Sequence, residues 1–130
     1  MAVRELTNRE CWDLLARVGL GRLLYTSAAL PLARPMRFVV RNKVIMVSLD
    51  PSVAERLLSA GTDFVAFQVD DCADGVQTGH SVTVYGWGCV VSHHRRGMAE
   101  AAGLPGLEGK AVYVCVAPVR LCGDQLDLRT

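Results

Sequence analysis

The sequence predicts a mainly β fold of α+β type, an antiparallel barrel of six to seven strands with short flanking helices. Segments with strand character outnumber those with helical character along the 130 residues. Consecutive strands also follow each other too closely for βαβ crossovers, which need a dozen or more residues. The segment His80–Ser92 (HSVTVYGWGCVVS) is long for a strand and carries Gly86 and Gly88 on one face. Glycine inside a strand marks a bend, a bulge or a close approach, which suits a barrel. A chain of this length buries one core, so residues 1–130 are expected to form a single domain.

The first element is a helix over Thr7–Val18. Thr7 and Glu10 have capping-box spacing, and Leu6 and Cys11 are placed as its hydrophobic staple. Cys11, Leu14, Leu15 and Val18 form one apolar stripe, and Gly19 supplies the stop. Trp12 lies off that stripe, either as a partly exposed aromatic or as a contact with a partner surface. Gly21–Ser27 reads as a strand, and residues 28–31 turn it into the next one.

That next stretch, residues 30–60, organises the chain. Leu32–Val40 is a strand with Arg34 and Arg37 among apolar neighbours, Arg41-Asn42-Lys43 is a polar break, and Val44–Ser48 returns as a β-branched run. Asp50 is a natural N-cap with Pro51 at the first helical position, and Val53, Ala54, Leu57 and Leu58 follow at helical spacing before Gly61. Ser48 at the strand end, Ser52 at the helix start and the two arginines are the ingredients of an anion site. The same residues also satisfy the rules for a well-capped surface helix with solvated arginines.

Thr62–Val69 is a strand, and Asp70–Gly79 is a ten-residue polar loop, long for a hairpin. In the long strand His80–Ser92, the face opposite the glycines carries Ser81, Thr83, Tyr85 and Trp87. A short helix over His93–Ala102, a loop, a strand over Lys110–Ala117 and a less regular strand over Pro118–Leu128 complete the chain.

Composition excludes several functions. The net charge is +1, and His93-His94-Arg95-Arg96 is the only basic run, so no field exists to attract nucleic acid. No apolar stretch approaches transmembrane length, and the start of the chain lacks the apolar run of a signal peptide. The five cysteines are scattered, with no CxxC and no zinc spacing to a histidine, as in a reduced, cytoplasmic protein. Cys11, Cys89 and Cys115 sit in apolar patterns, and Cys72 lies in the polar loop. No GxSxG, HExxH, P-loop or dinucleotide fingerprint is present. His80, directly after the loop, is the one histidine placed to reach a cleft. If the protein is an enzyme, a bound cofactor carries the hard step.

The layout resembles the pyridoxamine 5′-phosphate oxidase-like family, flavin-binding split β-barrels, in its small actinobacterial type. The resemblance runs through ECWDLLARVGLGRLLYT, RPMRFVV, VSLDPSVAERL, VAFQVDD and TGHSVTVYGWGCVV. It implies a homodimer with two cofactor sites at the dimer interface. The flavin ring would lie against Arg34, Pro35, Met36, Arg37 and Phe38, with its phosphate at Ser48, Ser52 and nearby basic groups. Thr78, His80 and Ser81 would reach the cofactor from the partner subunit. The family usually places a lysine or arginine where this chain has Val53, and often a tryptophan where it has His80.

The function this implies is that of an oxidoreductase binding flavin mononucleotide (FMN) and transferring hydride or electrons to a small-molecule substrate. A deazaflavin is the close variant. The alternative is a barrel that has lost flavin binding and serves as a ligand-binding protein or as a cofactor-independent biosynthetic enzyme. A haem-dependent enzyme, with His80, His93 or His94 as axial ligand, is a further form of it.

Overall fold

The first helix begins where its capping box places it. In a computed structural model that describes residues 2–57, 62–72, 77–91 and 112–127, α1 spans Asn8–Arg17 with Thr7 as N-cap, and Thr7 and Glu10 each receive the other's backbone N–H. Leu6 and Cys11, the staple residues, are both buried. Ahead of α1, β1 (Ala2–Glu5) is a strand the sequence pattern does not reveal, being four residues long with no alternation to read.

After α1 come β2 (Leu20–Ser27), β3 (Leu30–Arg41), β4 (Val44–Leu49), α2 (Pro51–Leu57), β5 (Thr62–Asp71), β6 (Thr78–Val90) and β7 (Val112–Asp127). The expected helix over 93–102, the loop after it, Leu58 and Gly61 lie outside the described residues. Two expectations change. The polar loop contracts, because β5 continues through Asp71 and pairs Asp70 with Ser81 and Asp71 with His80. The last two strands are one, because β7 runs through Pro118 with a register shift at Tyr85/Gly86 instead of a break.

All pairings are antiparallel, in the order β1-β7-β4-β3-β2-β5-β6, and β6 also pairs with β7. The sheet therefore closes into a barrel, with β1 added to β7 outside the ring. Alternation sorts the side chains: Leu23, Ile45, Val47, Phe67, Val82, Val84, Val114 and Val116 are 0 % exposed inside it. Each such burial contributes about 1.5–3 kcal/mol. The rings of Phe38 and Phe67 meet edge to face at 4.8 Å. α2 closes one end through Val53, Ala54 and Leu57, and α1 packs mainly against β7 at the other.

The hairpin turns are two residues each and left-handed: Ala28 and Ala29 have φ of 50° and 64°, Asn42 and Lys43 of 50° and 58°. At the bulge, a side chain on Gly86 would overlap the carbonyl of Ala117, so only glycine fits.

Candidate functional site

β3 has two partners and changes between them. Among the described residues, Leu30–Arg37 pair only with β2, and Phe38–Arg41 pair only with β4. Beyond Val47, the strand β4 pairs only with β7. A split therefore opens between β3 and β4 at the step from Phe38/Val47 to Arg37/Ser48. Pro31 and Pro35 explain why β3 tolerates an open edge. They lack the N–H that a second partner would need, and four residues apart they present the same side.

Most of the residues assigned to the cofactor flank this split. Alternation divides them between its two sides. On the core-facing side, the exposed Arg34 donates from Nε to the hydroxyl of buried Tyr25 at 3.2 Å. Met36 and Phe38 share that side and pack in the core. On the outer side lie Pro35, Arg37, Val39, Met46 and Ser48. The two arginines thus do not converge. The hydroxyl of Ser48 is buried and has no hydrogen-bond partner among the described residues. Such a group costs about 1–3 kcal/mol unless a ligand satisfies it.

The start of α2 is occupied by the chain itself. The Asp50 carboxylate accepts from the Ser52 backbone at 2.9 Å and from the Ser52 hydroxyl at 2.6 Å. These bonds, with the nearby charge of Arg34, hold the Asp50 carboxyl below its ordinary range. An anion already sits where a phosphate was expected. Val53 belongs to the core at 8 % exposure and offers no charge there.

Thr78, His80 and Ser81 lie elsewhere. They begin β6, pairing with Asp127, Gln125 and Asp124, at the end opposite α2. β6 extends about 30 Å from His80 to Cys89 at the usual strand rise. Ser81 stands opposite Asp70, a residue that shares a cleft with Pro35.

The outer face of β2, β5 and β6 adds residues that sequence reasoning left unassigned. Toward the α1 end, a cleft of about 420 Å³ is lined by Leu20, Arg22, Pro35, Gln68 and Asp70 among others. Arg22 pairs with Asp70 and Gln68, and Gln68 donates to Thr83. Toward the other end, a cleft of about 350 Å³ is lined by Leu24, Thr26, Phe64, Ala66 and Tyr85 among others. Beside it, Trp87 is 52 % exposed and meets Phe64 edge to face at 5.0 Å. The alternation of His80–Ser92 signalled this face, since it set Tyr85 and Trp87 opposite the glycines.

Among the described residues no group of histidines, cysteines and carboxylates forms a metal site. Among the same residues no helix is long and apolar enough to cross a membrane.

Known proteins share both this architecture and this sequence. A solved FAD-binding protein from Mycobacterium smegmatis is 31% identical, covering 95% of this chain and 99% of its own, with a TM-score of 0.77. A FAD-binding protein from Mesorhizobium loti has the same fold at 19% identity and a TM-score of 0.76, covering 97% and 99%. The uncharacterized protein Rv0080 of Mycobacterium tuberculosis is 39% identical over 94 residues. That match takes in 69% of this chain and 62% of the relative's length. The sequence pattern of the pyridoxamine 5′-phosphate oxidase family matches residues 7–118. With its split barrel and its flavin-binding relatives, the chain belongs to the pyridoxamine 5′-phosphate oxidase family.

Proposed function

We propose that the chain binds a flavin nucleotide at the split between β3 and β4 and works as a homodimeric oxidoreductase on a small molecule. The observation that carries this reading is the split itself. It combines an open strand edge, the exposed Arg37, a buried Ser48 hydroxyl without a partner, and Arg34 across the strand. These groups fit a ligand with an extended apolar ring, hydrogen-bonding edges and a negative charge. A bound flavin supplies hydride and single-electron chemistry, and the protein binds and orients it. Ser48 would donate to the ligand, Pro35 would lie against its ring, and Arg37 would face its charged part, with Arg34 bordering the split from the other side of β3. In the homodimer, Thr78, His80 and Ser81 would reach the ligand from the partner subunit. The exposed aromatic face of Phe64, Tyr85 and Trp87 is the apolar surface such a partner would cover.

FMN is the minimal ligand of this kind, and FAD, named for two relatives, contains the same ring and phosphate. Asp50 and the buried Val53 favour a second reading, in which the phosphate grip is lost and the split holds a ligand without one. Titration with FMN and with FAD, followed by fluorescence quenching and light scattering, separates the two. The flavin reading expects about one flavin per chain, a dimeric mass, and at least tenfold weaker binding after Arg34→Ala and Arg37→Ala together. No quenching by either nucleotide sinks it in favour of the second reading.

A further inference from the structure

Cys89 of β6 and Cys115 of β7 face each other directly across the ladder in which the barrel closes. Their sulfurs are 3.0 Å apart, and both residues are half-buried. Residues directly opposite in an antiparallel pair have Cα atoms about 4.5–5.5 Å apart, inside the range of about 4.4–6.8 Å that a disulfide spans. The backbone is therefore already placed for a bond, and side-chain rotation completes it. We propose that Cys89 and Cys115 form a reversible disulfide across β6 and β7, a redox-sensitive clamp on the closing seam of the barrel.

The other cysteines differ. Cys11 is buried against Gly123, and burial pushes its thiol pKa up, which leaves it little thiolate. Cys122 stands opposite Thr83, and Cys72 is exposed just past the end of β5. Cys115 in turn stands opposite Met46 of β4 and packs with Tyr113, so the bond would form where β4, β7 and β6 run side by side. On the same outer face, two residues along β6, is the exposed Trp87. Oxidation would thus stiffen the sheet beneath the aromatic surface.

The chemistry balances with a low-molecular-weight disulfide as oxidant. One thiolate attacks it and releases a thiol, and the second thiolate then displaces the other half from the mixed disulfide. Two cysteine thiols lose two protons and two electrons, and one small disulfide becomes two small thiols. A dithiol reductant reverses the reaction.

The test treats the 130-residue chain with oxidised glutathione, blocks remaining thiols after unfolding, and maps peptides by mass spectrometry. The expected result is that two of the five thiols become unreactive, with Cys89- and Cys115-bearing peptides linked and the intact mass lower by two hydrogens. Dithiothreitol restores all five, and neither Cys89→Ser nor Cys115→Ser forms an intrachain bond. Glutathione remaining attached to either cysteine, a link involving Cys11, Cys72 or Cys122, or no loss of thiols overturns the proposal. Because the native protein is itself mapped, a variant that fails to fold does not blur the outcome.

Discussion

Arg37 and Ser48 occupy the first register step at which β3 and β4 no longer pair. Phe38 faces Val47, and the next pair in the ladder would be these two, but each keeps only its other neighbour strand. The fork sets a cation and a buried, unpartnered hydroxyl on the same side of a widening gap. Ser48→Ala separates structural cost from ligand gain. Removing an unsatisfied buried hydroxyl is expected to stabilise the free protein by about 1 kcal/mol or more. It should also weaken flavin binding by about 2- to 12-fold, the worth of one hydrogen bond. Thermal melts and flavin titrations of the same variant check both signs. A destabilised variant with unchanged affinity would remove Ser48 from the site.

Asp50 tunes the other side. Its carboxylate caps α2 through Ser52 and lies in the field of Arg34. Asparagine caps helices about as well as aspartate. Asp50→Asn should therefore leave the melting temperature nearly unchanged while freeing Arg34 for a phosphate and tightening flavin binding severalfold. Asp50→Ala loses the cap and should melt a few degrees lower. Weaker binding by the asparagine variant would mean that the carboxylate itself serves the ligand.

The local rules made most of the fold legible. Capping chemistry placed both helix starts, and period-two alternation separated the glycine face of β6, which proves to be its core face, from the face of Tyr85 and Trp87. What stayed hidden was non-local. β1 exists because β7 offers an edge, and Arg4 fixes it by reaching Glu10 and Gln125. β7 continues through Pro118 because the bulge beside Gly86 absorbs the irregularity. At the site, spacing grouped Arg34 with Arg37, but three residues along a strand is an odd number and puts them on opposite sides. The choice between cap and anion site at Ser52 was also out of view, since both call for the same residue types.

The turn between β2 and β3 carries a cost. Ala28 and Ala29 both sit at positive φ, where an L-residue with a Cβ loses about 1–2 kcal/mol. Two-residue hairpins of this hand favour Asn-Gly. Replacing the pair by Ala28→Asn with Ala29→Gly should stabilise the protein by about 1–2 kcal/mol, read from denaturant midpoints at unchanged m-value. A lower midpoint would show that the turn is held by contacts the substitution breaks.

Gly86 and Gly88 look alike in sequence and differ in space. A Cβ on Gly86 would overlap the backbone of Ala117, while one on Gly88 meets its nearest neighbour at 3.6 Å, an ordinary contact. Gly86→Ala is expected to cost about 1–3 kcal/mol through forced backbone movement, and Gly88→Ala to stay within about 0.5 kcal/mol. Equal effects in urea unfolding would show that the bulge is softer than its geometry implies.

The start of the chain carries an acid-sensitive contact. Glu10 accepts from Arg4 and from the Thr7 backbone, and these bonds, the Arg4 side chain first, pull its pKa from 4.5 to about 2. A carboxyl whose pKa falls on folding stabilises the protein fully above its unfolded value. That contribution drains as the pH drops from about 4.5 toward 2. Glu10→Gln removes the charge and keeps an oxygen that can complete the capping box. The wild type should therefore melt above the variant at pH 7, and the gap should narrow steadily below pH 4.5. Arg4 and Glu10 are both well exposed, at 53 % and 39 %. Salt should shrink the gap too, because exposed pairs are screened. A gap unmoved by acid and by salt would show that the charge of Glu10 does not carry it.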